Sequence, residues 1–226
     1  MLRKCDFAPG EYYHIYNRGN DKRPIFLNHG DYFRFLLLLY VANHRQPIHL
    51  SDWQGKSLPM SVIWSKNYGE KLVDIGVYCL MPNHFHLLVR EREEAGISKF
   101  MKKLLTGFSM YFNKKHNRTG KLFEGPFKAS HVNNDRYLNY LFAYIHLNPI
   151  RTIDPIGWEK RVVRDPKSAE GFLNRYEYSS YPFYSGRHRP SDSILTPAVF
   201  PGYFSTHKAF SEFIRDWIHC QGESLP

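Results

Sequence analysis

Residues 74–90, DIGVYCLMPNHFHLLVR, constrain this chain more than any other stretch. Two apolar runs are separated only by MPN. A break that short leaves room for little beyond a tight reversal, so the runs are expected to lie side by side as antiparallel strands. Around that pair the rest of the chain falls into alternating elements. EYYHIYNRGN, entered through Pro9 and Gly10, reads as a first strand carrying Tyr13 and Ile15 and ending at the turn-prone Asn17–Asn20. Asp31 is expected to cap a helix through YFRFLLLLYVANH, and Ser98 a helix through FMKKLLTGFSMYFNKKH that Asn117–Gly120 closes. FKASHVN reads as another strand, after which Asp135 is expected to cap RYLNYLFAYIHLN, a helix that Pro149 ends.

The order β, α, β, β, α, β, α predicts an α+β fold, a ferredoxin-like antiparallel sheet with helices packed on one face. Residues 46–73 mix Pro, Gly and short β-branched pieces, and read as a long insertion with a hairpin. From residue 152 the composition shifts toward Pro, Arg and Asp, then to YEYSSYPFYSG and the amphipathic AFSEFIRDWI, which together read as an appended C-terminal extension over 152–226. One main domain over 8–151 plus that appendage suits a length of 226 residues.

Composition narrows the partner. Hydrophobic residues at 42% supply a core, and a formal net charge of +10 creates a field that attracts polyanions, nucleic acid first among them. Cys5, Cys79 and Cys220 have no CxxC spacing, which argues against a disulfide framework or a thiolate zinc site and fits a reducing cytoplasm. The first residues lack the apolar core of a secretory signal, and the longest apolar run, Phe35–Ala42, is too short to span a bilayer, so no membrane association is expected.

Alternation along a strand puts His84 and His86 on one face, with Phe85, Leu87 and Val89 on the other. Two imidazoles on one pleat can share a metal, although the same spacing also suits ordinary histidines on a solvated sheet face. Asn148 lies four residues beyond Tyr144 on one helical stripe and supplies a candidate third ligand. Two imidazoles and an amide oxygen suit Mg²⁺ or Mn²⁺. Tyr144 is a candidate nucleophile beside Tyr137 and Tyr140, which share its helix, and all three also read as core aromatics.

Between Ile97 and Lys128, eight cations (Lys99, Lys102, Lys103, Lys114, Lys115, Arg118, Lys121 and Lys128) face one acid, Glu124. Phe108, Tyr111 and Phe112 interleave with them, a pattern that suits single-stranded nucleic acid and equally a solvated helix over core aromatics. EREE at 91–94 reads as a charged turn.

Four ordered segments, EYYHIYNRGNDKRPIF, YCLMPNHFHLLV, MYFNKKHNRTGKLFEGPFK and YLFAYIHLNPIR, resemble the HUH-type single-tyrosine transposases of the insertion-sequence-200-like group. Within them the likeness is to the REP-associated tyrosine transposases, which act on palindromic extragenic repeats. The resemblance implies a ferredoxin-like domain that recognises DNA hairpins, nicks single-stranded DNA with a divalent metal and forms a 5′-phosphotyrosine. It matches His84 and His86 to the metal-binding pair with Phe85 between them, Tyr144 to the nucleophile and Asn148 to a polar third ligand, while Tyr111 is the tempting wrong choice. It leaves both monomer and homodimer open. The sequence departs from the pattern in the length of 46–73 and at Pro126, where a basic residue is common. Two other readings stand beside it: a non-catalytic single-stranded nucleic-acid binder, and a metal-dependent nuclease that uses water as its nucleophile.

Overall fold

The computed structural model describes residues 6–46, 60–66 and 68–219. Strands β1 (Tyr12–Arg18), β2 (Val73–Met81), β3 (His84–Glu91) and β4 (Lys128–Val132) form one sheet in the order β2-β3-β1-β4. Every neighbouring pair is antiparallel. β2 and β3 reverse at Pro82 and Asn83, with Met81 opposite His84, so the hairpin expected from residues 74–90 is present.

One face of the sheet carries Ile15, Phe85, Leu87 and Val89. It packs against α1 (His29–Val41) and α3 (Gly96–Lys115) through Phe35, Leu39, Phe100, Leu104 and Phe108. The other face carries Val77, Cys79 and Leu88 and is covered by α4 (Asp135–Leu147), whose Leu138, Leu141, Phe142 and Ile145 make an i, i+3, i+4, i+7 stripe. Each such side chain contributes roughly 1.5–3 kcal/mol when fully buried, so the stripe is enough to hold α4 there. The α1 and α3 layer is the one expected. The α4 layer extends that expectation to the second face, and its cause is visible in β2, which is buried at every position and lacks polar alternation, as strands covered on both sides do.

All three helices start differently from expectation. Asn134, not Asp135, caps α4, its side chain accepting from Tyr137 N–H at 2.8 Å. α1 begins after Asn28. Asp31 instead sits buried in the first turn, where its carboxylate accepts from Leu27 N–H at 2.9 Å and pairs with Lys115 at 2.8 Å. α3 begins ahead of Ser98, because the buried Glu91 carboxylate accepts the Gly96 and Ile97 N–H groups at 2.9 and 2.7 Å. EREE is therefore not merely a charged turn; its first residue ends β3 and closes a helix terminus.

Where a hairpin was expected, residues 60–65 form the short helix α2 (Met60–Ser65), with Ile63 and Trp64 buried in the main core; the expectation for residues 47–59 and 67 lies outside the described residues. Cys79 is a buried free thiol, while Cys5 and Cys220 lie outside the described residues.

The C-terminal extension is built into the same body. Helices α5 (Ile150–Ile153), α6 (Pro155–Glu159), α7 (Pro166–Arg175), α8 (Tyr181–Tyr184) and α9 (His207–His219) pack behind α4. Between them the chain runs along the free edge of β2, where Leu80 N–H donates to Tyr178 O, Ser180 N–H to Tyr78 O and Thr196 N–H to Ile75 O, all within 3.0 Å. A sheet edge that would otherwise be open to pairing is thereby closed. Buried His146 fastens α4 to this strap: its Nδ1–H donates to Phe142 O, and its Nε2 accepts from the Ser180 hydroxyl, both at 2.8 Å. Among the described residues no helix is long and apolar enough to cross a membrane.

Candidate active site

His84 and His86 project from β3 toward the α4 side of the sheet, away from Phe85 and Leu87. Register assembles their surroundings: Tyr16 of β1 lies opposite His86, Arg18 opposite His84, and Lys128 of β4 beside Tyr16. Gly19 makes the exit from β1 possible. A Cβ there would lie 2.1 Å from the Arg23 carbonyl oxygen, so only glycine lets the chain curl back with Arg18 and Lys22 on the rim.

Both imidazoles are oriented from behind. The Asn83 amide donates to Lys22 O at 2.9 Å, which turns its oxygen toward His84 Nδ1 at 2.7 Å. His84 Nδ1 therefore carries the proton and Nε2 keeps its lone pair. His86 Nδ1 lies 2.9 Å from Nε2 of buried His14. Burial pushes His14 and His84 down to about 4, the latter helped by Arg151 and opposed by the Asn148 amide. It pushes His86 well below its ordinary value, with His14 and His84 adding to the fall. All three rings are neutral near pH 7, the state in which an imidazole ligates a metal. Among the described residues no three of His, Cys, Asp and Glu group to hold an ion. The donor set is thus two neutral imidazoles with room for oxygen ligands, which fits a hard divalent cation completed by amide or phosphate oxygens.

α4 lays Tyr144 against this pair. Its ring meets His86 edge-on at 5.5 Å and His14 at 6.1 Å, with His84 5.1 Å beyond His86. Asn148 is buried one turn further on, its amide donating to Tyr144 O at 2.8 Å. Burial raises the Tyr144 phenol, and the Asn148 amide and Arg151 pull it back. Tyr140 and Tyr137 continue the row away from the histidines at 5.6 and 6.0 Å, and burial pushes Tyr140 up to about 12. Tyr111 lies on the far side of the sheet, its hydroxyl 3.2 Å from Gly30 O and Asp31 Oδ1.

A cleft of about 560 Å³ opens over these groups, lined by Tyr16, Arg18, Lys22, Asn83, His84, His86, Lys128, Tyr144 and Arg151 among others. Of the residues expected to bind DNA, only Lys128 lines it. α3 lies on the opposite face of the sheet and much of its charge is engaged within the fold. Lys99 pairs with Glu93, Lys103 donates to the His44 and Arg45 carbonyls, and Lys115 pairs with Asp31. Phe108 and Phe112 are buried in the core and offer no face to a base, and Arg118 lies over Phe112. Lys102 and Lys114 are exposed on α3. Lys121 sits in the loop whose Leu122 O accepts from Asn20 N–H and whose Phe123 pairs with Gly19, beside the cleft rim. Sequence reading missed His14, Tyr16, Arg18, Lys22 and Arg151. Alternation along β1 put His14 and Tyr16 on one face, but only the β1–β3 register shows that it is the face of the histidine pair.

The sequence model of the transposase IS200-like family matches residues 12–148 of this chain, ending at the Asn148 that caps α4. No curated protein matches it. A solved structure, of a REP-associated tyrosine transposase bound to a REP hairpin, matches with a TM-score of 0.48 and 11% identity, over 91% of this chain and 96% of that one.

Proposed function

Because this chain belongs to the IS200-like transposases, whose family model matches more than half of it, we propose that it nicks and rejoins hairpin-bearing single-stranded DNA with Tyr144 as nucleophile. The observation that carries the reading is the edge-on contact of Tyr144 with His86 in a cleft that also holds His84 and cationic side chains.

His84 and His86, with Asn148 as third ligand, would hold Mg²⁺ or Mn²⁺; when bound, the ion polarises the scissile phosphate and offsets the charge that develops on it. The chain's own groups do the rest. Lys22 and Lys128 on the rim draw in the phosphate backbone, and Lys121, in the loop joined to Gly19 and Asn20 beside that rim, adds to the positive field. Asn83 fixes the tautomer of His84, and His14 gives His86 Nδ1 a buried hydrogen-bond partner. The packing of Tyr144 between His86 and Tyr140 leaves its ring few orientations, which lowers the entropic cost of an in-line attack. As the phenolic oxygen bonds to phosphorus, the bond to the 3′-oxygen breaks. The phenolic proton passes to solvent, and the leaving oxygen takes one up as a 3′-hydroxyl. The phosphotyrosine ester keeps the energy of the broken bond, so attack by another 3′-hydroxyl rejoins strands without a nucleotide cofactor.

The test is a denaturant-resistant protein–DNA adduct formed with hairpin-bearing single-stranded DNA and Mn²⁺. Tyr144→Phe should abolish it. Tyr16→Phe, Tyr140→Phe and Tyr111→Phe should retain it, Tyr16 being the other tyrosine that lines the cleft. An adduct that survives Tyr144→Phe overturns the assignment. Cleaved DNA free of protein would point to water as nucleophile, and salt-sensitive binding without cleavage to a non-catalytic binder.

A further inference from the structure

We propose that Arg151 is a catalytic residue of this cleft, its guanidinium taking the non-bridging oxygens of the phosphate that Tyr144 attacks. The inference rests on the strand-transfer reading above and gives a role to a residue three positions past residues 12–148, where the family model's match ends.

Pro149 ends α4 without breaking its phase. Asn148 (φ −48°, ψ −38°) and Pro149 (φ −58°, ψ −26°) both stay in the right-handed helical region. Asn148 N–H reaches Tyr144 O, and Arg151 N–H reaches Asn148 O, each at 3.1 Å. Tyr144, Asn148 and Arg151 therefore stand at i, i+4 and i+7, the spacing of a single helical stripe, and Tyr144 and Arg151 both line the cleft. The charge of Arg151 is felt at Tyr144, His84 and His86, all of which it lowers.

Its partners make the same point. The other cleft arginine, Arg18, is held by Glu124 at 2.7 Å, whereas Arg151 is exposed and has no ion pair among the described residues. A planar fork lining the same cleft as the attacking oxygen suits a phosphodiester, whose two non-bridging oxygens accept parallel N–H bonds and gain negative charge as the tyrosine oxygen adds to phosphorus and the 3′-oxygen departs. No other bond changes: the guanidinium donates hydrogen bonds and gives up no atom.

The experiment compares full-length wild type, Arg151→Gln and Arg151→Lys in single-turnover adduct formation at saturating hairpin-bearing DNA with Mn²⁺, and separately in DNA binding without divalent metal. Arg151→Gln should slow adduct formation about 10²–10³-fold, the loss typical of removing one donor from a developing oxyanion. Its binding should weaken by less than about tenfold, with the salt slope falling by about one. Arg151→Lys should recover part of the rate through charge and not all of it, because the fork is gone. Thermal melts of the free proteins check the fold, and the lysine variant keeps the comparison open if the glutamine variant is unstable. A glutamine variant whose adduct rate stays within about threefold of wild type, where losing a donor should cost 10²–10³, overturns the proposal. So does a rate loss wholly explained by weaker binding. A wild type that forms no adduct defeats the strand-transfer reading and the catalytic role together; the phosphate contact alone is then decided by the salt slope, and an unchanged slope and affinity in Arg151→Gln overturns that too.

Discussion

Replacing His14 by phenylalanine keeps a ring beside Tyr16 and Tyr144, which lie 5.1 and 6.1 Å away, and deletes a single hydrogen bond. What is lost is the 2.9 Å partner of His86 Nδ1, at a site where His86 is 6% exposed and little water can substitute. Left alone, that nitrogen costs about 1–3 kcal/mol in the folded protein. The ring also loses the contact that helps to hold its orientation. Removing an outer partner of a metal-binding histidine typically lowers affinity 10–100-fold, or about 1.4–2.8 kcal/mol. Mn²⁺ binding, followed by calorimetry or by the electron paramagnetic resonance of the free ion, should therefore weaken by one to two decades in His14→Phe, as estimated from outer-partner losses at other sites. His14→Gln, which can return an acceptor oxygen, should fall between. Equal Mn²⁺ affinity in His14→Phe and wild type, with both proteins folded by thermal melt, would refute the reasoning that His14 supports His86 as a ligand.

Glu91→Ala strips two buried N–H donors of their shared acceptor and should destabilise the chain by about 2–4 kcal/mol in urea unfolding; a loss below 1 kcal/mol, the scale of one ordinary hydrogen bond, would count against Glu91 as the closure of α3. Acid should act before the carboxylates titrate. Buried His14 and His146 are depressed to about 4 and about 3 from 6.5, so below pH 6.5 the unfolded chain takes up protons that the folded chain refuses, and stability falls as pH drops from 6.5 toward 4. The slope should be about 1.4 kcal/mol per pH unit for each group, and a flat profile of urea midpoints across that window contradicts it. Ending the chain at Ile153 removes the strap along β2 and the partners of Leu147 and Ile150 in the third core cluster. That truncation should lose cooperative unfolding, and a sharp melt at the full-length temperature would show the extension to be dispensable.

The β2–β3 hairpin was legible because two apolar runs and a two-residue reversal admit few other arrangements, and the order of strands and helices followed from periodicity. Helix starts were not. A polar residue near the first turn reads the same whether it caps, as Asn134 does one residue away from Asp135, or turns inward, as Asp31 does to meet Lys115 across 84 positions of sequence. Glu91 looked like part of a solvated run because burial is a property of neighbours, and its neighbours come from the turn into α3. The placement of α4 on the second face was written in VDIGVYCLM, whose single charge, Asp74, leaves no polar alternation and so calls for cover on both sides, though nothing in it says which helix supplies the cover. At the site, alternation brought out His84 and His86, whereas Tyr16, Arg18 and His14 join them only through the β1–β3 register. The basic count over 97–128 was right as a sum. It misled about location because the cations engaged with Glu93, Asp31 and the carbonyls after α1 look the same in sequence as free ones.

The bond from His146 to Ser180 ties a single helical turn to two different tasks, since the turn that aims Tyr144 at the cleft is the one anchored by the strap. On the strand-transfer reading proposed above, the final third of the chain, whose first residues Arg151 and Thr152 line the cleft, acts chiefly as an alignment jig. If Tyr144 is the nucleophile proposed above, substitutions around Ser180 that leave every reactive group in place should still disturb the placement of its phenol, well outside the segment matched by the family model.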